Sequence, residues 1–330
     1  MPYVKINSNT GTQNIYYNIS TPTEASADQI DPTRPTVLFL HPIFIASEIF
    51  HPQFTDPLLR KFNLVALDSR LHGLSEGVLG SSFTFFDAAD DINNFTNALQ
   101  LPPVIIVGVS MGSSIALHFA TKYSSKVLGL FLISPLTAWE PEDVAIGRRE
   151  IWELWKEGIE MNDADLTEQA ISGALQLGFN GQTTETTERM LASSISHSMN
   201  NWSTEQGIKD LKTISVDFFA DRKPLPLNVL SSIQCPLQMI HAGADVAYSL
   251  EDLLEKKKDF DDAGLKTNIV TIPRASHFAN VIHAEKINPL LSDFVAANAS
   301  LETPAELTHL VISPFDHLFE TEPDEADDDY

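Results

Sequence analysis

Residues 104–117, VIIVGVSMGSSIAL, constrain the fold of this chain more than any other stretch. Residues 104–107 form a short β-branched run, which is typical of a fully buried parallel strand. Residues from Met111 onward are small or compatible with a helix, and Gly-x-Ser-x-Gly lies between the two. This order predicts a sharp strand-to-helix turn that presents the Ser110 hydroxyl above the sheet edge. Gly108 and Gly112 would let the two backbones approach each other closely.

By itself, the five-residue pattern also describes an ordinary glycine–serine turn that enters a helix. Its context favours the more specific interpretation, because apolar strand-like runs alternate with helical patterns on both sides. The strand-like runs are residues 3–7, 14–20, 36–40, 62–68, 127–134, 236–241 and 268–272. The helical patterns cover residues 47–61, 86–99, 111–123, 250–264 and 279–298. We therefore predict an α/β fold in which helices cover both faces of a mostly parallel sheet.

Residues 136–234 interrupt this alternation. They contain no comparable buried strand and are typical of helical segments separated by polar turns. We predict that they form an inserted helical cap between two parts of one core, residues 1–135 and 235–300. All four tryptophans lie in this insertion: Trp139, Trp152, Trp155 and Trp202. Large aromatic side chains either pack a small core or line a pocket, and the sequence leaves both interpretations open.

The composition restricts the partners and the cofactors that we expect. A formal net charge of -24 argues against binding to nucleic-acid backbones or to anionic membranes. The single cysteine, Cys235, allows no internal disulfide. Since no stretch has the length of a signal peptide or of a membrane span, we expect a cytoplasmic protein. No cluster has metal-ligand spacing and there is no glycine-rich phosphate loop, so we expect neither a metal nor a cofactor.

Residues 301–330 form a strongly acidic tail, with ten acidic and no basic residues. This composition predicts partial disorder. The apolar residues 307–319 have the character of a segment that docks on the core. A solvating role is the simpler expectation for the tail, and binding of a protein partner is the alternative.

With these elements in order, the chain resembles the α/β-hydrolase fold family over residues 1–298. Four motifs carry the resemblance. Residues 41–44, HPIF, resemble the His-Gly oxyanion loop, and residues 68–75, DSRLHGLS, resemble the Asp-x-Arg-Gly-x-Gly-x-Ser turn. The third motif is the turn around Ser110. The fourth consists of residues 243–245, GAD, and residues 276–278, SHF, and it has the family's order of Ser, Asp and His.

Two positions depart from the family pattern, because Pro42 and Leu71 stand where glycine is usual. Proline has no N–H and cannot donate a hydrogen bond to an oxyanion. The resemblance therefore implies that the backbone N–H groups of Ile43 and Met111 form the oxyanion hole. These two donors would point at the charge that develops in a tetrahedral intermediate.

The resemblance implies a catalytic triad of Ser110, His277 and Asp245. A serine hydroxyl is a weak nucleophile without an adjacent base, and that base is oriented by a carboxylate. His277 directly follows a strand, whereas the rival histidines lie within the final helix (His283) and in the second motif (His72). Competitors for the acid, Asp221 and the acidic residues of 251–262, are expected to be solvated.

We therefore expect a serine hydrolase that cleaves a small ester, thioester or lactone through an acyl-enzyme. Phe44, Trp139, Trp152 and Trp155 are the predicted pocket residues, and they favour a mostly apolar or aromatic small-molecule substrate. A carbon–carbon hydrolase of a β-diketone-like substrate would use the same triad, and a non-catalytic ligand-binding relative is the third alternative. The capped layout is also similar to that of fungal hydrolases of secondary metabolism. Fold alone does not fix function.

Overall fold

A computed structural model of the chain describes residues 2–80, 82–300 and 311–319. The described residues form one eight-stranded sheet in the order β1-β2-β4-β3-β5-β6-β7-β8. The strands are β1 (Tyr3–Ser8), β2 (Gly11–Ser20), β3 (Thr36–Leu40), β4 (Asn63–Leu67), β5 (Val104–Val109), β6 (Val127–Ile133), β7 (Leu237–Ala242) and β8 (Thr267–Ile272). β1 pairs with β2 and β2 pairs with β4 antiparallel, and the remaining pairs from β4 to β8 are parallel.

Helices lie on both faces of this sheet, as predicted. The helices of the described residues are α1 (His51–Phe54), α2 (Phe85–Ala98), α3 (Met111–Lys122), α4 (Glu142–Met161), α5 (Ala164–Phe179), α6 (Glu185–Trp202), α7 (Glu205–Lys212), α8 (Phe218–Ala220), α9 (Leu227–Leu230), α10 (Leu250–Asp262), α11 (Ala279–Ile282) and α12 (Ala284–Asn298). Short 3-10 turns cover Ser47–Phe50, Ser124–Lys126 and Asp316–Leu318, and a π-helical turn covers Thr213–Asp217.

Apart from Thr36 and Asn63 at their starts, strands β3, β4 and β5 carry no polar side chain, because both of their faces are buried. Along β3, Val37 and Phe39 belong to one hydrophobic cluster, while Leu38 and Leu40 belong to another. The first cluster includes side chains of α1 and α12, and the second includes side chains of α2 and α3. Successive strand residues point to opposite faces, so a continuous apolar run is what a doubly covered strand requires.

Two predicted helices differ from the observed ones. The helix expected at residues 47–61 is limited to the 3-10 turn and α1, because the chain reaches Pro57, which disfavours a helical residue before it. The final helix is divided at His283, where α11 ends and α12 begins. Asn280 Nδ2 donates to Ile49 O and Asn288 Nδ2 donates to Pro52 O, so separate contacts hold α11 and α12 against the segment that includes α1.

Helices α4 to α9 all lie between β6 and β7, within the segment predicted as a cap. Two tryptophans tie these helices together. The indole N–H of Trp155 in α4 donates to Trp202 O in α6 at 3.0 Å, and that of Trp152 donates to Ile208 O in α7 at 3.0 Å. The insertion therefore has internal packing of its own.

The C-terminal segment 311–319 packs on the core. Phe315 is buried, and its ring centroid lies 5.4 Å from that of Phe54 in α1. Arg60 Nη1 donates to Ile312 O. Residues 301–310 and 320–330 of the predicted acidic tail lie outside the described residues, and so does the partial disorder predicted for them. No helix in the described part of the chain is both long and apolar enough to span a membrane.

Candidate active site

Ser110 lies at the sharp turn between β5 and α3. Its backbone has φ 51° and ψ -112°, in the positive-φ region that a residue with a side chain rarely adopts. Its N–H donates to Ile133 O at 3.0 Å, which anchors the turn to the end of β6. The turn therefore holds Ser110 in a strained conformation at the carboxyl edge of the parallel strands.

The two glycines of the motif are required by close backbone packing. A Cβ on Gly108 would lie 2.5 Å from the carbonyl oxygen of Gly112, and a Cβ on Gly112 would collide with the carbonyl oxygen of Leu40. The second contact brings the start of α3 against the end of β3. Since Leu40 lies three residues before Ile43, the same contact brings the loop after β3 towards Met111.

His277 and Asp245 are in direct contact. His277 follows β8 and Asp245 follows β7, so both lie at the same sheet edge as Ser110. Nδ1 of His277 lies 2.6 Å from Oδ2 of Asp245, and both side chains are 2% exposed. This contact places the ring proton on Nδ1 and leaves Nε2 as an acceptor. Nε2 is buried and has no hydrogen-bond partner within the described residues.

Further hydrogen bonds fix both members of this pair. Oδ1 of Asp245 accepts from the backbone N–H groups of Ala247 and Tyr248, at 2.8 and 3.2 Å. The hydroxyl of Ser134 donates to His277 O at 2.6 Å. Ser134 directly follows Ile133, which holds the Ser110 N–H, so the end of β6 connects the serine turn with the histidine loop.

The loop that carries Ile43 is held by a neutral histidine. Nδ1 of His41 lies 2.7 Å from Pro42 O, while its Nε2 accepts from the Ser69 N–H at 2.8 Å. Burial lowers the pKa of His41, which favours the neutral ring that this arrangement needs. Ile43 is buried within this loop. Met111 is the first residue of α3, so its N–H has no acceptor within the helix.

An apolar cavity lies between the insertion and the loop after β3. Its empty volume is about 590 Å³, including its mouth. Ile43, Phe44 and Phe278 line its core side, and side chains of α4, α5 and α6 line the other. Phe278 directly follows His277, and Ile43 is a predicted oxyanion donor, so the cavity adjoins the candidate catalytic groups. Ser110 and His277 are not among its lining residues.

The four predicted pocket residues have different positions. Phe44 and Trp155 line the apolar cavity. Trp139 and Trp152, predicted in the same role, lie outside it. Trp139 is 62% exposed on the surface, and Trp152 packs between α4 and α7. Trp202 lines the cavity and was not among the predicted pocket residues.

The insertion is hydrogen-bonded to the loops that carry the acid and the base. At the end of α5, the Gly178 carbonyl accepts from the Phe278 N–H at 2.9 Å. Immediately after α5, Asn180 Nδ2 donates to Ala244 O at 3.1 Å. Phe278 and Ala244 are the chain neighbours of His277 and Asp245. Hydrogen bonds from the insertion therefore help to hold the two loops that carry His277 and Asp245.

The rival candidates for acid and base have different surroundings. His72 Nδ1 donates to Arg70 O at 3.0 Å, and burial lowers its pKa to about 3, so the ring is neutral. His283 stands between α11 and α12, 3.6 Å from Glu285. Asp221 is exposed after α8. No group of three or more metal-ligating side chains occurs within the described residues.

Sequence reasoning did not identify Glu48, a buried carboxyl group at the joint between insertion and core. Its Oε1 accepts from the Ser194 hydroxyl of α6 at 2.6 Å. Burial, and after it the charge of Asp68, raises the pKa of Glu48 to about 7. The sequence does carry a signal for the face of α6 that includes Ser194, the partner of Glu48. Leu191, Ser194 and Ser198 recur at helical spacing, and all three line the apolar cavity.

A family model described as alpha/beta hydrolase fold matches residues 35–245. The chain belongs to the alpha/beta hydrolase fold family. No curated protein matches it significantly.

Three solved structures illustrate how the chain compares with other members of this fold. A thermophilic esterase from Thermogutta terrifontis is 18% identical with a TM-score of 0.69, and the alignment covers 91% of this chain and 100% of the esterase. An enol-lactonase from Burkholderia xenovorans is 18% identical with a TM-score of 0.66, and the alignment covers 89% of this chain and 99% of the lactonase. An enzyme that degrades N-acyl homoserine lactone is 22% identical with a TM-score of 0.61, and the alignment covers 88% of this chain and 100% of that enzyme. At these identities the likeness establishes the shared fold.

Proposed function

We propose that this alpha/beta hydrolase cleaves a small, mostly apolar ester, thioester or lactone through an acyl-enzyme on Ser110. The observation that carries the proposal is the combination of a strained Ser110 turn with the hydrogen-bonded pair of His277 and Asp245 at the same sheet edge. A serine held in a costly backbone conformation beside a buried, oriented imidazole has the arrangement that nucleophilic catalysis requires.

In the proposed first step, Ser110 Oγ forms a bond to the substrate carbonyl carbon, and its proton passes to Nε2 of His277. Asp245 stabilises the imidazolium that results, through the hydrogen bond to Nδ1. The tetrahedral intermediate then breaks its bond to the leaving alkoxide or thiolate, which receives the proton from Nε2. A water molecule repeats the sequence on the acyl-enzyme and regenerates Ser110.

The N–H groups of Met111 and Ile43 are the proposed oxyanion donors. Met111 offers a donor that α3 leaves free, and the helix dipole adds positive potential there. Pro42 offers no N–H, so the loop must donate through the next residue. Removal of one such donor typically lowers the catalytic rate by roughly two to three orders of magnitude.

The apolar cavity supports a substrate with an apolar acyl or alcohol part. Its walls are almost entirely hydrocarbon and aromatic, from Phe44, Trp155, Phe179 and Phe278. Apolar walls with few polar groups are typical of small-molecule sites. The thermophilic esterase and the enol-lactonase with the same fold act on ester bonds, which supports the same bond type here.

Hydrolysis of 4-nitrophenyl butyrate and of γ-nonalactone by the purified full chain tests this function. Wild type is expected to turn over at least one of them, and Ser110→Ala is expected to lower the rate by about a thousandfold or more. Ser125→Ala, which removes an exposed serine hydroxyl beyond the end of α3, is the matched control and should keep the wild-type rate. Equal turnover by wild type and Ser110→Ala would contradict the proposal.

A further inference from the structure

A second cluster of buried charged side chains lies where the segment after β6 meets the end of the insertion. Its centre is Glu140, whose side chain is 2% exposed. Glu140 Oε1 accepts from Arg148 Nε at 2.6 Å. Its Oε2 lies 2.8 Å from Arg222 Nη2 and accepts from the Tyr248 hydroxyl at 2.9 Å. One carboxylate is therefore the ion-pair partner of two buried guanidinium groups.

The positive charge in this cluster exceeds the negative charge. Lys256 of α10 is also buried, and its Nζ donates to Leu136 O at 2.7 Å. Burial, and after it the positive charge of Arg222, lowers the pKa of Lys256 to about 7. Glu140 is the only carboxylate within hydrogen-bond distance of either guanidinium group among the described residues. Buried charges normally have partners that compensate them.

Two donors of Arg222 have no acceptor. Nε and Nη1 of Arg222 are buried without a hydrogen-bond partner within the described residues. The Arg222 side chain is only 4% exposed, so bulk water does not replace the missing partners. Because an unsatisfied charged donor is costly inside a protein, these atoms indicate an acceptor that the chain itself does not supply.

Arg222 and Lys256 both line one cavity, with an empty volume of about 400 Å³ including its opening. Ser114 and His118 of α3 also line it, as does Thr137, whose Oγ1 accepts from Arg222 Nη2 at 3.3 Å. Burial and, to a smaller extent, the charges of Lys256 and Arg222 lower the pKa of His118 to about 4, and the effect of the two charges indicates positive potential across the cavity. At the exposed rim, Lys223 and Asp259 carry opposite charges and offset each other.

We propose that this cavity is a binding site for a small oxyanion, held by Arg222 and Lys256. The occupant carries either a tetrahedral sulfate-like or phosphate-like group or a carboxylate, since all of these accept charge-assisted hydrogen bonds from guanidinium and ammonium donors. Arg222 supplies Nε and Nη1, and Lys256 supplies the two ammonium protons that Leu136 O does not accept. Ser114 adds a hydroxyl group to the wall.

This site is separate from the proposed reaction centre. Ser114 and His118 lie four and eight residues after Ser110, which places them about 6 and 12 Å further along the axis of α3. The oxyanion cavity also shares no lining residue with the apolar cavity at Phe44 and Trp155. An anion bound here would not occupy the space of an ester on Ser110, so the two proposals fail or succeed independently.

Isothermal titration calorimetry of the full chain with sodium sulfate and, separately, with sodium malonate tests the proposal, with sodium chloride at matched ionic strength as the blank. Saturable binding of at least one anion is expected. A response to sulfate alone assigns a tetrahedral oxyanion, and a response to malonate alone assigns a carboxylate. Absence of saturable binding of either anion to wild type overturns the proposal.

Three variants identify the location of binding. Lys256→Gln keeps a donor for Leu136 O but loses the charge, and Arg222→Lys keeps the charge but loses the guanidinium donors. Each should weaken binding by about tenfold or more. Lys258→Gln removes an exposed cation two residues along α10, outside this cavity, and should change the affinity by less than about twofold. Unchanged affinity in either Lys256→Gln or Arg222→Lys overturns the assignment, as does an equal loss in Lys258→Gln.

Discussion

Replacement of Glu48 by glutamine should stabilise the protein at high pH and change its stability little at low pH. The fold raises the pKa of Glu48 from 4.5 to about 7, first by burial and then by the nearby charge of Asp68. Asp68 itself accepts hydrogen bonds from the N–H and hydroxyl of Ser47 and from the Leu74 N–H. The folded state therefore prefers Glu48 in its protonated, neutral form.

The sign of the pH effect follows from this raised pKa. Below pH 4.5, Glu48 is neutral in both the folded and the unfolded chain, and no free energy is lost. As pH rises from 4.5 to 7, the unfolded chain releases the proton while the folded protein keeps it, so the stability that the neutral group contributes is lost. The loss reaches about 3 kcal/mol above pH 7, because each pKa unit corresponds to about 1.4 kcal/mol.

Urea unfolding of wild type and Glu48→Gln at pH 5 and pH 8 measures this difference. Glutamine stays neutral and keeps a carbonyl oxygen for the Ser194 hydroxyl, so the variant should gain about 2 to 3 kcal/mol more over wild type at pH 8 than at pH 5. Glu168→Gln, on the exposed face of α5, is the matched control and should show no such trend. A Glu48→Gln difference that is equal at the two pH values would refute the reasoning.

Three further predictions concern the site. Asp245→Asn should lower kcat by about 10⁴-fold in steady-state ester hydrolysis, because the imidazole would lose the partner that fixes its tautomer; a loss below about tenfold would contradict its role as the triad acid. Gly112→Ala should lower Tm and abolish turnover, since its Cβ would collide with the Leu40 carbonyl; a wild-type Tm by calorimetry would contradict this packing. Trp155→Ala should raise KM for butyrate esters by about tenfold, whereas Trp139→Ala should leave KM unchanged because Trp139 lies outside the cavity. Equal KM changes in the two tryptophan variants would contradict the assigned pocket.

The sheet could be predicted from the sequence because its strands carry a strong local signal. β3, β4 and β5 are buried on both faces, so each contains an uninterrupted run of apolar residues, which differs from the pattern of an amphipathic helix. The turn at Ser110 could also be predicted, since Gly-x-Ser-x-Gly between an apolar strand and a helical pattern is a signal contained within a few residues. Local sequence is informative where local packing sets the structure.

The parts that differ depend on contacts between distant residues. The final helix is divided at His283, and the two parts are held by hydrogen bonds from Asn280 and Asn288 to a segment more than 200 residues earlier in the chain. Packing between α4 and α6 determines that Trp155 and Trp202 are the tryptophans that line the cavity, and composition does not reveal this packing. The raised pKa of Glu48 arises because the fold buries it near Asp68, although the two residues are 20 positions apart.

The central claim is that Ser110 is an activated nucleophile, and a fluorophosphonate probe tests it without any assumption about the substrate. The full chain would be labelled, digested and analysed by mass spectrometry beside Ser110→Ala, His277→Ala and the control Ser125→Ala. We expect one labelled peptide that contains Ser110 in wild type and in Ser125→Ala, and no label in the other two variants. Absence of labelling of a folded wild type, or labelling that persists in Ser110→Ala, would contradict the account.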